Sequence, residues 1–250
     1  IGCSYRLDGL IYLAGHVSSG TGLWYSTDDG ANFTQVGTPA SGSFSAVGMH
    51  DATHGIAIEW EEGSIWYTVD GTTWVDSGHS WISDSDIQCA VVYVYASGAN
   101  LTDFKCLILQ RRSSGNSPSP GTGNVEYYDG TANSAVVFYG DTDGTHGTAT
   151  NFVLLDNGVL SFAYANGLEL SSANSTANIV STTNPTASVM TAGAITAAPT
   201  FYVTPLGLCG SAGGTDVFEE KMDCMNQYDA NKVLISGRNR KLWQVDLSGI

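Results

Sequence analysis

Three short stretches of this chain carry residue types that could do chemistry. HDATH places His50, Asp51 and His54 together. On a helix, histidines at i and i+4 would share a face and could bind zinc. Here the flanking residues read as strands, so the same residues are better read as a polar turn. GDTDGTHG (Asp141, Asp143, Gly144) has the form of the first half of a calcium loop, where alternate carboxylates converge on one hard cation. It lacks the downstream bidentate glutamate, so no cofactor is expected beyond a structural calcium at Asp141 and Asp143. The five cysteines (Cys3, Cys89, Cys106, Cys209, Cys224) form no CxxC pair. Cys209 and Cys224 bracket the Gly-rich excursion GSAGGTDVFEEKMD, and either a disulfide joins them or both are buried thiols. No P-loop, GxSxG or paired-carboxylate arrangement is present.

The aromatics Trp24, Trp60, Trp66, Trp74, Trp81, Tyr127, Tyr128 and Trp243 could stack on sugar rings. Most recur at equivalent strand positions, where packing accounts for them. Trp60, beside Glu61 and Glu62, and Trp81, in HSWISDSD, break that pattern. They are the candidate exposed, ligand-binding rings.

Nine basic against 24 acidic residues give a formal charge of -15. Nucleic-acid affinity comes from Lys and Arg neutralising phosphates, so such a partner is excluded. An anionic membrane surface is disfavoured for the same reason. No run of 18 apolar residues occurs, so no membrane insertion is expected. Only 13% of residues are charged, against abundant Gly, Ser, Thr and Asn. That surface suits an extracellular, cell-surface or virion-surface protein. Ile1 opens no signal-peptide pattern and is not an initiator Met, so a processed chain or a piece of a longer one is expected.

The elements that must hold these residues are set by a repeat. GLWYSTDDGANF is answered by SIWYTVDGTTW, NVEYYDG, GLELSSANS and KLWQVDLSG. Aligning Trp24, Trp66, Glu126, Glu169 and Trp243 gives steps of 42, 60, 43 and 74 residues. A second marker, a polar turn between two strands (RLDGLIYLAG, MHDATHGIAIEW and their successors), lengthens in the same places. The long steps contain insertions at 111–123 and 180–217, without which the period is about 43. Each unit reads as four short strands of period-2 alternation between Gly, Asn and Asp turns. The predicted fold is therefore all-β: a β-propeller of five blades of four antiparallel strands, with six as the alternative. Approximate blades are 1–40, 41–80, 86–141, 149–185 and 215–250. The last is incomplete, since only LSGI follows LWQVD. Its missing strand could be borrowed from the 180–217 insertion or lie in a longer parent chain.

STDDGANF (Ser26, Asp28, Gly30, Phe33) resembles an Asp-box, or BNR repeat, of sialidase-type propellers, and YTVDGTTW (Thr68, Asp70, Gly71, Trp74) is similar to its shorter form. The third unit keeps Asp129 and Gly130; the fourth and fifth are degenerate. The spacing has a structural cause. The Asp carboxylate accepts N–H groups inside a hairpin turn, Gly supplies a positive φ, and the aromatic folds under the turn and buries apolar area. The resemblance implies turns at the blade periphery, away from any active site. It also implies that a sialidase would need three arginines around a carboxylate, a Tyr paired with Glu, and an acidic proton donor. The chain has Arg6, Arg111, Arg112, Arg238 and Arg240. Only Arg6 is directed by its strand toward a channel, while Arg111 and Arg112 flank the loop 110–123, the expected protruding contact element.

The leading expectation is a non-enzymatic binding or structural propeller, an attachment or appendage component recognising a glycan or protein surface. Its ligand-binding candidates are Trp60, Trp81, Arg111, Arg112 and Arg6. The apolar 180–217 insertion would pack against another subunit in a homo-oligomer or larger assembly. The alternatives are a sialidase-like glycoside hydrolase, or a fragment of one, and a propeller-type assembly factor.

Overall fold

The computed structural model describes residues 3–7, 9–37, 39, 42–60, 63–81, 87–113, 123–140, 148–165, 175–186, 189–191, 194–197, 199–209, 222–237 and 242–249. The fold is all-β, a five-bladed antiparallel β-propeller, as the repeat predicts. Among the described residues there is no α-helix and one 3-10 turn, Leu101–Asp103. None of their helices is long and apolar enough to cross a membrane.

The chain divides into two compact units. The first comprises Ile1–Ile108, Glu126–Val136 and Met190–Ile195; the second comprises Leu109–Val125, Val137–Val189 and Thr196–Ile250. In the first, β1 (Cys3–Leu7), β2 (Leu10–Ala14), β3 (Leu23–Ser26) and β4 (Thr34–Gln35) form one sheet in chain order. A second sheet holds β5 (Phe44–Met49), β6 (Gly55–Glu59), β7 (Ser64–Thr68) and β8 (Val75–Ser80), again in chain order. A third blade holds β9 (Ile87–Ala96), β10 (Lys105–Ser113), β11 (Val125–Tyr128) and β12 (Ala135–Phe138), each paired with the next; its residues 109–113, 125 and 137–138 are counted with the second unit.

Alternation explains these strands. In β2, Tyr12 and Ala14 point inward while their neighbours are half-buried. The first strand of the second blade, FSAVGM, is buried along its whole length, because a strand covered on both faces loses the period-2 signal. Tyr12, Leu23, Phe44, Met49 and Trp74 form one core cluster. Ile56, Ile58, Trp81, Phe104, Cys106 and Tyr128 belong to another.

In the second unit, β13 (Thr148–Ala149) and β14 (Val153–Leu154) both pair with β15 (Leu160–Ala165). β15 pairs with β16 (Ser175–Thr182). The paired strands β17 (Val189–Thr191) and β18 (Ala194–Ala197), whose Met190–Ile195 segment is counted with the first unit, precede β19 (Tyr202–Cys209), which pairs with β16. Among the described residues the last sheet has three strands, β20 (Met222–Asp229), β21 (Lys232–Gly237) and β22 (Leu242–Asp246). Val153, Leu155, Ile179, Met225, Val233 and Ile235 pack in this unit's core.

Two differences from the sequence reading stand out. The strand beside β15 is Ser175–Thr182, where the sequence reading aligns GLELSSANS; residues 167–174, Glu169 among them, lie outside the described residues. Among the described residues of the 180–217 insertion there is neither a sixth blade nor a strand paired with the last sheet. Its β19 becomes the outer strand beside β16. Proline at position 205 is compatible with that place, since an edge strand needs no N–H on its outer side.

Candidate functional site

The turns between third and fourth strands use their acidic residues for structure. Ser26 Oγ accepts the N–H of Gly30 at 2.9 Å and donates to Asp28 Oδ1 at 2.7 Å. Asp28 in turn accepts the backbone N–H and the side-chain amide of Asn32, both at 2.8 Å. Between β7 and β8 the pattern repeats. Thr68 Oγ1 accepts Gly71 N–H at 2.9 Å, and Asp70 Oδ1 accepts the N–H groups of Thr72 and Thr73 at 2.8 and 2.6 Å. Between β11 and β12, Asp129 Oδ1 accepts Thr131 N–H at 3.0 Å. Each turn also rests on the turn between the first two strands of its own blade. A Cβ on Gly71 would stand 2.7 Å from Ala52 O, and one on Gly130 would stand 2.0 Å from Leu101 O. Both glycines have a positive φ, 78° and 76°.

The aromatic that closes each turn behaves differently in the two copies. Trp74 is fully buried in the core cluster with Tyr12 and Phe44, as expected. Phe33 is 40% exposed, so the expectation that it buries under its turn is corrected. Its ring lies over Gly30 at the surface rather than reaching the core.

Hydrogen bonds hold the Asp28 and Asp70 carboxylates anionic. The Asn32 amide hydrogen bonds lower Asp28 from the usual 3.8 to about 2. The Thr73 N–H leads in lowering Asp70 to about 2, against a smaller opposing effect of burial. Groups with a folded-state pKa below the unfolded one stabilise fully above about pH 4, and that stabilisation is lost as pH falls toward about 2. Acid unfolding of the protein should therefore steepen between pH 4 and 2. Asp28→Asn with Asp70→Asn should flatten the profile in that window, measured by denaturant unfolding at each pH. An unchanged slope would show that other carboxylates control it.

HDATH lies in the turn between β5 and β6, and Asp51 organises it. Partial burial of this carboxyl is outweighed by the N–H groups of Thr53 and His54 and the His54 ring, which hold it well below the usual range. Thr53 N–H bonds Asp51 Oδ1 at 2.8 Å, and His54 Nδ1 lies 2.9 Å from the same oxygen. His50 Nδ1 stands 3.7 Å from Asp51 Oδ2 and 2.7 Å from Ser97 Oγ, at the end of β9. This brings together a hydroxyl, an imidazole and a carboxylate that the sequence separates by 47 positions. The same ring nitrogen faces both partners, whereas a catalytic histidine relays a proton between its two nitrogens. Among the described residues no group of three or more His, Cys, Asp or Glu side chains is placed to hold a metal.

Two polar groups that sequence reasoning passed over are buried inside strands. Glu126, in the otherwise apolar run VEYY, is 1% exposed and accepts a short hydrogen bond from Ser134 Oγ. It stands where the first two blades carry Trp24 and Trp66 in the repeat alignment, and that break in the repeat was the available signal. At the neck of the hairpin around residues 110–123, Gln110 N–H bonds Asn124 O at 2.9 Å and Gly123 N–H bonds Gln110 O at 3.0 Å. Two residues facing one in this way form a β-bulge, a device that re-aims side chains and fixes a bend. Asn124 Oδ1 accepts Gly140 N–H at 2.7 Å. The neck of the loop is thus held by two backbone hydrogen bonds and one from Gly140 to the Asn124 side chain.

The remaining sequence candidates fall as follows. Trp60 is half-buried, with its ring 5.8 Å from that of His16. Trp81 is 2% exposed and belongs to the cluster with Phe104 and Tyr128, so it is a core residue and not an exposed ring. Arg6 lies on β1 opposite Ile11, and Arg112 on β10 opposite Thr148. The side chains of Arg6, Arg111 and Arg112 are outside the described residues, as are Asp141 and Asp143. Cys224 is a free, half-buried thiol, so of the two alternatives for Cys209 and Cys224 the disulfide is not present. Cys106 is also free, and burial pushes its thiol well above the usual range, which makes it an inert core residue.

No protein-family model and no curated protein matches the sequence. Solved structures do match. An ancestral GH74 enzyme aligns at a TM-score of 0.53 and 16% identity, over 94% of this chain and 29% of that one. The GH74 xyloglucanase from Xanthomonas campestris aligns at 0.52 and 13%, over 96% of this chain and 35% of that one. YCF48 from Cyanidioschyzon merolae aligns at 0.50 and 12%, over 96% of this chain and 64% of that one. The likeness is one of fold. This chain spans less than two thirds of each of these structures, and identities this low carry no activity or partner across.

Proposed function

We propose that this chain is a non-enzymatic recognition or structural propeller, an attachment or appendage module outside a cell or on a virion, that binds a glycan or protein surface. In this reading the turns at Ser26–Phe33 and Thr68–Trp74 are Asp-boxes that stiffen the blades. The observation that carries it is the use made of the acidic side chains. Asp28, Asp51, Asp70 and Asp129 each accept hydrogen bonds from their own turn. A general acid needs a carboxyl that gains and loses its proton near the working pH. Carboxylates tied in this way supply rigidity, and a rigid scaffold presenting loops is the usual architecture of recognition.

The test is a glycan array on the purified chain, with a fluorogenic sialoside and other glycoside substrates alongside. Binding without turnover is expected, weakened several-fold by Trp60→Ala. Trp81→Ala is unsuitable as a probe because it opens the core. Turnover lost in Arg6→Ala would overturn the reading in favour of a sialidase-like hydrolase. Absence of glycan binding, together with capture of a defined protein partner, would select the protein arm of the same reading.

A further inference from the structure

Two amide side chains at the neck of the 110–123 hairpin are buried beyond what the backbone there requires. Gln110 is 1% exposed and Asn124 is wholly buried. Among the described residues, Gln110 Nε2, Gln110 Oε1 and Asn124 Nδ2 have no hydrogen-bond partner. Most buried side-chain polar atoms are bonded, to protein or to ordered water, so these three together call for an explanation. The Asn124 amide is fixed in its orientation, because its Oδ1 accepts the Gly140 N–H and Nδ2 is left as the donor.

The backbone sets the two side chains next to each other on one face. Cys106 and Ile108 of β10 and Tyr128 of β11 belong to one core cluster. Side chains alternate between the faces of a strand, so Gln110 shares the face of Cys106 and Ile108, and Asn124 that of Tyr128. The Gln110 N–H bonds Asn124 O, which makes the two residues direct neighbours. Gly123, whose N–H returns to Gln110 O, has φ 83°, the glycine position of a G1 bulge. A Cβ there would stand 2.8 Å from Tyr164 Cγ, so the bulge is closely packed.

The donors and acceptors decide what fits. A direct bond from Asn124 Nδ2 to Gln110 Oε1 would satisfy two of the atoms and leave Gln110 Nε2 with none. A single water satisfies all three. The oxygen and the N–H on the same side of a primary amide can grip one water, the first accepting from it and the second donating to it. The water's other lone pair takes the Asn124 N–H. That makes about three hydrogen bonds, the usual complement of a buried water. A cation is refused by two N–H donors. An anion is refused by Gln110 Oε1 and by the formal charge of -15.

We propose that Gln110 and Asn124 form a binding site for one internal water molecule, which joins the two ends of the 110–123 loop through their side chains. The water completes what the bulge begins: backbone bonds tie residue 110 to residues 123 and 124, and the water ties the amides that those bonds place together. The site goes beyond the recognition reading and does not depend on it.

The experiment uses the full, isotope-labelled chain in water, with nuclear Overhauser transfer from water to the side-chain amides as the readout. Cross-peaks to water are expected at both Gln110 Nε2 and Asn124 Nδ2. In rotating-frame spectra they should be opposite in sign to the diagonal, which separates a bound water from proton exchange. Gln110→Met keeps the length of the side chain and removes both of its amide atoms, so the Asn124 cross-peak should be lost. Absence of water cross-peaks from the wild-type amides overturns the proposal. So does a coupling through a hydrogen bond from Asn124 Nδ2 to the Gln110 side-chain carbonyl, which would show the direct bond instead. A cross-peak at Asn124 that survives Gln110→Met overturns the part assigned to Gln110. Both wild-type measurements stand even where the variant fails to fold.

Discussion

Trp74→Ala is expected to destabilise the protein by about 3–5 kcal/mol, the usual cost of emptying a large aromatic site. Phe33→Ala, at the same position of the equivalent turn, should cost about 1 kcal/mol or less. The contrast follows from burial. Trp74 is wholly buried among Tyr12, Leu23, Phe44 and Met49, whereas Phe33 is 40% exposed. For a chain of this size the first substitution should lower Tm by about 6–20 °C. Trp74→Phe separates packing from polarity. The indole Nε1 is buried without a hydrogen-bond partner, so losing it forfeits no bond, and most of the stability should survive. Urea unfolding followed by far-ultraviolet circular dichroism checks all three. Equal losses for Trp74→Ala and Phe33→Ala would show that the turn, and not the core beneath it, sets the energetics.

That contrast also marks where the sequence was legible. The turn chemistry at Ser26, Asp28 and Gly30, and at Thr68, Asp70 and Gly71, is local. Its donors and acceptors lie within four residues, so spacing alone reveals it. The repeat was legible for the same reason, because each blade restates the same local pairings. What spacing cannot reveal is what lies across the gap. Trp81 looked exposed beside a polar run, yet the cluster with Val92, Phe104 and Tyr128 buries it. Phe33 and Trp74 share a motif position and differ in the core they meet. Ser97 reaches His50 only because β5 and β9 end near each other. β19 finds β16 across an intervening hairpin, and the degenerate GLELSS segment concealed that β16 is the strand beside β15. Long-range pairings of this kind leave no periodic trace in the sequence.

Gly130→Ala should cost about as much as the loss of Trp74, although it adds only one methyl group. Two effects combine at this position. The residue sits at φ 76°, a conformation that costs a non-glycine residue about 1–3 kcal/mol. Its Cβ would also stand 2.0 Å from Leu101 O and 2.6 Å from Leu101 C, so the turn after β11 must lift off the 3-10 turn beneath it. Overpacking of that kind adds about 1–3 kcal/mol. Lifting the turn also pulls on Lys105, whose Nζ bonds both Thr102 O at 2.9 Å and Asp129 O at 3.0 Å. Gly78→Ala is the control, since Gly78 has φ 71° with nothing within 4 Å of its would-be Cβ. It should carry the conformational cost alone, about a third to a half of the Gly130→Ala loss. If the two variants unfold at the same denaturant concentration, close approach is not the reason the third blade keeps Asp129 and Gly130. If Gly130→Ala falls well below Gly78→Ala, the degenerate third motif retains the two residues that the contact with Leu101 requires, and it has lost the Ser or Thr and the aromatic that this contact does not use.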